Sequence, residues 1–256
     1  MIRPKYDMRW FKGLFIAFLL IQSIISQAQT RTHAYNTNAW LMYFGSHKFS
    51  DKMGLHAEVQ WRRSDVFSKN QQLLLRTGLE YFVRPDVRLT IGYGFIETYP
   101  YGEFAVPRAF PEHRIWQQLL VQQELGRIKL AHRYRLEQRM IGNATTGQFE
   151  NGRYENRMRY MAKATVNITH GEHPIYAALY DEVFVNFGKD VGYNIFDQNR
   201  LYGAVGYTIS SNFKMELGYL YQLVQLRSLD ATSLNNRIEN NHTIQIALFS
   251  NLAFTR

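Results

Sequence analysis

Apolar and polar positions alternate along this chain from about Asn38 onward, in segments of roughly 10 to 15 residues divided by turns, and no helical period competes with them. The clearest segment is Gly152 to Ile168. Tyr154, Met158, Tyr160, Ala162, Ala164, Val166 and Ile168 share one face, while Arg153, Glu155, Arg157, Arg159, Lys163, Thr165 and Asn167 share the other. Successive side chains of a strand point to opposite sides, so this segment has an apolar wall and a charged wall. Ile128 to Met140 divides in the same way, with Ile128, Leu130, Tyr134, Leu136 and Met140 opposite Lys129, Arg133, Arg135, Glu137 and Arg139. Near the C-terminus Ile244, Ile246, Leu248, Leu252 and Phe254 alternate with Thr243, Gln245, Ala247, Phe249 and Asn251. Weaker alternation over Ala39–Phe49, Leu55–Arg63, Leu73–Val83, Leu89–Glu97, Ile115–Leu125, Ile175–Phe187, Leu201–Ile209 and Phe213–Leu223 brings the visible strands to about 11.

Short turns at 50–54, 84–86, 126–127, 170–173 and 210–212 alternate with longer polar links at 99–111, 142–151, 188–198 and 229–240. Bacterial membrane barrels have short periplasmic turns and longer outside loops, which assigns the longer links to the exterior. With eleven strands the first and last run in the same direction. Antiparallel closure asks for one more, and residues Thr30 to Asn36 either supply it or lie inside the barrel. The expected architecture is therefore all-β: one membrane-spanning antiparallel β-barrel of about 12 strands, within a range of about 10–12, over residues 29–256. No composition shift or Pro/Gly linker marks a second domain. A soluble lipocalin-like barrel is the competing fold, with the charged phase in water and the apolar phase around a ligand. Strand length and the aromatic Phe254 near the C-terminus weigh against it.

Arg3, Lys5, Arg9 and Lys12 precede an apolar run from Leu14 to Ile25, and Ser26-Gln27-Ala28 then supplies small residues ahead of Gln29. This is the pattern of a signal peptide over residues 1–28. The apolar run is shorter than the roughly 20 residues of a spanning helix, and no second run follows. Removing the leader takes away four bases and Asp7, so the formal charge falls from +9 to +6, too little to require a nucleic-acid partner. The absence of cysteine excludes a disulfide scaffold, a thiolate metal site, a cysteine nucleophile and a lipidated N-terminal cysteine. Aromatics make up 15%, yet mean hydropathy is slightly negative. A barrel wall accounts for both, because only one face of each strand is apolar and aromatic girdles mark its rims. Tyr93, Tyr99, Tyr101, Tyr207, Tyr219, Tyr221 and Trp116 are the candidate girdle residues, with Trp116 off the apolar phase of its strand.

Four short stretches carry a resemblance: Glu112-His113-Arg114-Ile115-Trp116-Gln117-Gln118-Leu119, Arg133-Tyr134-Arg135-Leu136-Glu137-Gln138-Arg139, Glu155-Asn156-Arg157-Met158-Arg159-Tyr160, and Phe196-Asp197-Gln198-Asn199-Arg200-Leu201-Tyr202-Gly203. Their order resembles the uncharacterised outer-membrane barrel family known as domain of unknown function 2490, common in Bacteroidetes and Proteobacteria. The resemblance covers nearly all of the chain after the leader. It implies an outer-membrane barrel and brings no activity, cofactor or catalytic residue.

The charged phase holds the candidate chemistry. Arg62, Arg76, Glu80, Arg133, Arg135, Glu137, Arg139, Glu155, Arg157, Arg159, Lys163, Glu182 and Arg200 are expected to line the lumen. Arg or Lys on the lipid side near the bilayer midplane costs about 2–4 kcal/mol each, so these side chains turn inward. Two readings follow. Arg–Glu ladders fill and rigidify a narrow barrel, or a surplus of bases draws small anionic solutes through a narrow pore. A membrane-embedded lipid hydrolase is a weaker alternative: His132 and His242 fall on the apolar phase, but His242 and Ser250 are about 27 Å apart along one strand. No Gly-x-Ser-x-Gly elbow is present. His170-Gly171-Glu172-His173 lacks metal-site spacing and reads as a polar turn, and no cofactor or metal is expected. The apolar residues Phe104, Val106 and Phe110 in the 99–111 link suit either an adhesive surface loop or a lid over the barrel mouth. The partners implied are outer-membrane lipid and lipopolysaccharide, with barrel-assembly machinery during insertion; nucleic acid is not among them.

Overall fold

The computed structural model describes residues 31–230, 232–233 and 235–254, so the leader read at 1–28 lies outside the described residues. The chain forms β1 (Arg31–Lys48), β2 (Met53–Ser64), β3 (Lys69–Arg84), β4 (Val87–Thr98), β5 (Phe110–Leu125), β6 (Ile128–Asn143), β7 (Gln148–Asn167), β8 (Ile175–Phe187), β9 (Phe196–Thr208), β10 (Phe213–Leu229) and β11 (Asn236–Ser250). Each strand pairs with the next, and β1 pairs with β11 to close the barrel. The shortest strands, β2 and β4, have 12 residues. At about 3.3 Å per residue and a tilt of about 40°, such a strand rises about 30 Å.

Closure differs from the twelve-strand antiparallel expectation. An odd number of up-and-down strands brings the last one back in the direction of the first, and the chain pairs the two in parallel, Arg31–Gly45 against Asn236–Ser250. Arg31 to Asn36 is therefore the beginning of β1, not a strand of its own. At this seam the Asn36 side-chain amide donates to Asn241 at 2.9 Å, with both groups buried.

The connections sort to two ends. Residues 49–52, 85–86, 126–127, 168–174 and 209–212 form a turn end; residues 65–68, 99–109, 144–147, 188–195 and 230–235 form a loop end. This is the division read from link length, with the short 65–68 hairpin added to the loop end. The parallel seam sets the start of β1 at the loop end and the end of β11 at the turn end.

Alternation then divides the wall. Leu55, Val59, Trp61, Leu79, Ile91, Val205, Leu217 and Ile244 lie on the outside, each between 42% and 59% exposed. Asp181 on β8 interrupts this apolar surface, its two carboxylate oxygens each 3.1 Å from the Asn199 amide nitrogen. The inner face is polar and charged, with a small apolar cluster of Trp40, Tyr202 and Leu220. Gly206 and Gly218 make room for the inward rings, because a methyl group at either position would overlap Tyr176 or Tyr202.

The seam can be tested directly because the chain has no native cysteine. With Asn38→Cys and Thr243→Cys, which occupy paired positions, mild oxidation is expected to yield the cross-linked species, visible as a mobility shift under denaturing, non-reducing conditions. Cysteines at 38 and 247 are expected to cross-link at least about tenfold more slowly, since they sit about 13 Å out of register. Equal rates would contradict parallel closure.

Candidate functional site

Strand period places every second side chain inside the barrel, and there the inner rows meet as ion pairs. Glu137 on β6 is the central acceptor. Its carboxylate is fully buried and takes hydrogen bonds from Arg159 at 2.8 Å, Arg157 at 2.6 Å and Arg76 at 3.2 Å, with Arg114 at 3.8 Å. Arg76 continues to Glu58 at 2.8 Å and Arg157 to Asp197 at 2.6 Å, so a chain of charges crosses the bore from β2 to β9. Two further nodes extend it. Glu112 accepts from Arg114 and Arg139, and Glu182 accepts from Arg133 at 2.7 Å and Arg159 at 2.8 Å.

Toward the turn end this packing opens into a cavity of about 1200 Å³. Its wall runs from Glu58, Gln60, Arg62, Arg76, Arg135, Glu182 and Arg200 at the inner end, past Arg88, Arg133 and Lys163, to Asp86, Glu124, Lys129, Glu172 and Lys214 at the rim. Among the described residues, none in the loop-end connections lines it. At the inner end Arg62 bonds only to the amide oxygens of Gln60 and Gln72, and Arg135 only to that of Gln118. Arg200 has neither an ion pair nor a hydrogen bond among the described residues. Each guanidinium lies over an aromatic ring: Arg62 over Trp40 at 4.1 Å, Arg135 over Trp116 at 4.6 Å, and Arg200 over Phe184 at 4.8 Å and Trp40 at 5.4 Å. Ring faces attract cations by their quadrupole and so partly offset burial of the charge.

The loop end is covered. Tyr101 of the 99–109 link turns inward and donates its hydroxyl to Glu239 on β11 at 2.9 Å, and Gly102 packs against the Asn36 side chain. Burial, with the Glu239 carboxylate beside it, pushes the Tyr101 hydroxyl well above the usual tyrosine range, so it stays a donor. Arg237 lies over Phe104 of the same link at 4.9 Å. Below this cover Asn36, Asn38, Gln71, Glu239 and Asn241 are all buried. Of the two readings of the link, the geometry is that of a lid.

Residues 37–233 match the family model described as Protein of unknown function (DUF2490). The chain belongs to this family. Neither the curated proteins nor the solved structures contain a match. In this DUF2490 barrel the thirteen residues expected at the lumen are all buried except Arg133 and Lys163, which are partly covered. Glu80 pairs with Arg88 at 3.4 Å and meets the central network through His56, which lies 3.7 Å from Glu80 and 3.3 Å from Glu58. Two girdle expectations are corrected: Trp116 is fully buried inside the barrel, edge-on to His56, and Tyr101 belongs to the lid. Tyr93, Tyr207 and Tyr219 are exposed on the outer wall.

Several members of the site escaped the sequence reading. Glu112, Arg114, Trp116 and Gln118 alternate on the inner face of β5, a signal obscured because the apolar run of that strand is short. Asp197 was hidden by a bulge, since the register between β8 and β9 slips at that point and turns it inward. His132 and His242 each bond to a tyrosine hydroxyl on the outer wall, Tyr160 at 2.9 Å and Tyr219 at 2.6 Å. Among the described residues no group of three or more His, Cys, Asp or Glu could hold a metal ion.

The Glu137 node gives a stability test. Glu137→Gln is expected to lower the unfolding free energy by about 3–5 kcal/mol, because it leaves several buried guanidiniums facing one another. Glu124→Gln, which removes an exposed pair with Lys129, is expected to cost less than about 1 kcal/mol. Urea titration of the folded, heat-modifiable gel band measures both.

Proposed function

We propose that this protein is a non-enzymatic outer-membrane barrel whose net-basic interior receives small anionic solutes from the turn end, as a transport-associated vestibule shut at the loop end. One observation carries the reading: the interior cavity reaches the turn end, its lining holds more bases than acids, and lid and packed side chains cover the other end. The outer wall supports the membrane part. It is mostly apolar, interrupted by polar pairs such as Asp181 with Asn199 and Gln117 with Gln138, over a strand height that matches a hydrocarbon layer of about 30 Å, and closure leaves no unpaired strand edge, which is what a lipid environment demands. The partners of such a barrel are outer-membrane lipid and lipopolysaccharide around the wall, and assembly machinery during insertion. No hydrolytic step is part of the proposal, because the outer-wall histidines His113, His132 and His242 are each engaged by a tyrosine hydroxyl instead of a serine.

This orientation directs the long links outward and the cavity mouth to the periplasm. Thr165 lines the cavity near its mouth, and Gln71 is buried beneath the lid. In cells carrying Thr165→Cys, a membrane-impermeant thiol reagent is expected to leave intact cells unlabelled and to label permeabilised ones, with an anionic reagent reacting several-fold faster than a cationic one of equal size. Gln71→Cys is expected to stay unreactive until Tyr101→Ala loosens the lid. Recovery of the protein in the soluble periplasmic fraction, or a preference for the cationic reagent, would count against the reading.

A further inference from the structure

The inner end of the vestibule has a charge surplus that the protein does not neutralise. Arg62, Arg135 and Arg200 are each more than nine-tenths buried, yet none has a carboxylate within ion-pair distance among the described residues. The acids nearest them are occupied: Glu58 by Arg76 and His56, Glu182 by Arg133 and Arg159. Burying a cation without a counter-charge is costly, and amide oxygens and ring faces meet only part of that cost. All three line the cavity that leads to the turn end.

We propose that Arg62 and Arg200, with Arg135 elsewhere on the same cavity wall, form a binding site for a compact, multiply charged oxyanion of the phosphate-ester or diphosphate class, carried by a small solute. The site rests on the reading of the interior as a one-ended basic vestibule and names what that vestibule holds. Guanidinium groups present parallel N–H donors that match phosphoryl oxygens, and Arg200, whose Nε is buried without a partner, commits no donor to a protein acceptor among the described residues. Arg62 and Arg200 share the Trp40 ring at 4.1 and 5.4 Å, which brings both within reach of one diphosphate-sized anion. A phosphomonoester carries about two negative charges at neutral pH, and a diphosphate has at least as many in two adjacent groups, enough for the two neighbouring cations left unpaired. The cavity, about 1200 Å³, is large enough for a phosphorylated metabolite.

The test uses the purified full-length barrel in detergent, its fold verified by heat-modifiable mobility, titrated calorimetrically with inorganic pyrophosphate without divalent cations. Saturable binding is expected, weakened at least about tenfold by Arg200→Gln and by Arg62→Gln, and changed less than twofold by Arg84→Gln, an exposed residue paired with Asp86. Without anion, both inner variants are expected to unfold at or above the wild-type temperature, because an uncompensated buried charge is gone. Pyrophosphate then raises the midpoint of the wild type and of Arg84→Gln more than that of either inner variant, a difference that a purely structural role would not produce. Should Arg200→Gln not fold, Arg200→Lys keeps the charge, loses the planar fork, and is expected to bind more weakly. Parallel arms use citrate and a short-chain phosphatidic acid. Tighter binding of citrate would overturn the phosphoryl assignment, and tighter binding of the lipid would overturn the solute assignment. Unchanged pyrophosphate affinity in both inner variants, or none in a folded wild type, would overturn the site while leaving the membrane barrel intact. A soluble protein without heat-modifiable mobility would defeat the underlying reading instead.

Discussion

A guanidinium packed among other side chains in the bore of a closed strand cylinder cannot turn out to bulk water, so it must find a counter-charge across the bore or remain costly. That constraint organises the inside of this barrel. Glu137, Glu112 and Glu182 each serve two or more arginines from different strands, and the resulting brace joins walls that share no backbone hydrogen bonds. It takes the place that an apolar core holds in a soluble domain. Buried ion pairs of this kind often add little net stability against an apolar alternative, but removing one partner is severe. Their contribution here is to hold one arrangement of the bore: Arg76 reaches Glu137 across two intervening strands, which an altered barrel shape would not permit.

Closure by a parallel pair has a further consequence. In an even-stranded barrel both chain ends emerge on one side, whereas here the start of β1 is beside the lid and the end of β11 is at the cavity mouth. The seam also supplies the lid with its anchors. Asn36 on β1 meets Gly102, and Glu239 on β11 receives the Tyr101 hydroxyl, so the link between β4 and β5 is fastened to the strands that close the barrel on its far side. Lid and seam thus form one unit, and the loop end is shut where closure itself is made.

Most of the wall was legible in the chain because a two-residue period leaves little ambiguity once it persists over many residues. The apolar and charged faces of β6 and β7, the alternation of short and long links, and the inward rows of arginine all follow from it. What escaped has physical causes. Periodicity carries strand direction but not closure, so the parallel seam was invisible and a twelfth strand stood in its place. A bulge breaks the period locally, which hid Asp197. Trp116 was set at a membrane rim by its residue type, when its phase, shared with Arg114 and Gln118, already placed it inside. Which arginines are paired depends on neighbours several strands away. No local pattern distinguishes Arg159, held by two glutamates, from Arg135, which bonds only to a glutamine.

Arg62 and Arg200 are at the deep end of the vestibule, and depth determines what they do. At the rim Lys129 and Glu124 are both exposed, so water and salt screen them and their field reaches little beyond a Debye length. At the inner end the same unit charges face a medium of lower effective dielectric, where an anion interacts several times more strongly at equal distance. An anion moving inward gives up hydration, but the opposing cations gave up theirs when the chain folded, and their amide and aromatic backing holds them in place. The reorganisation that a flexible surface cluster would require on binding is already complete. A gradient from screened rim to unscreened floor follows from where the chain places acids and where it leaves them out, and it points in one direction, from the turn end toward Arg62 and Arg200.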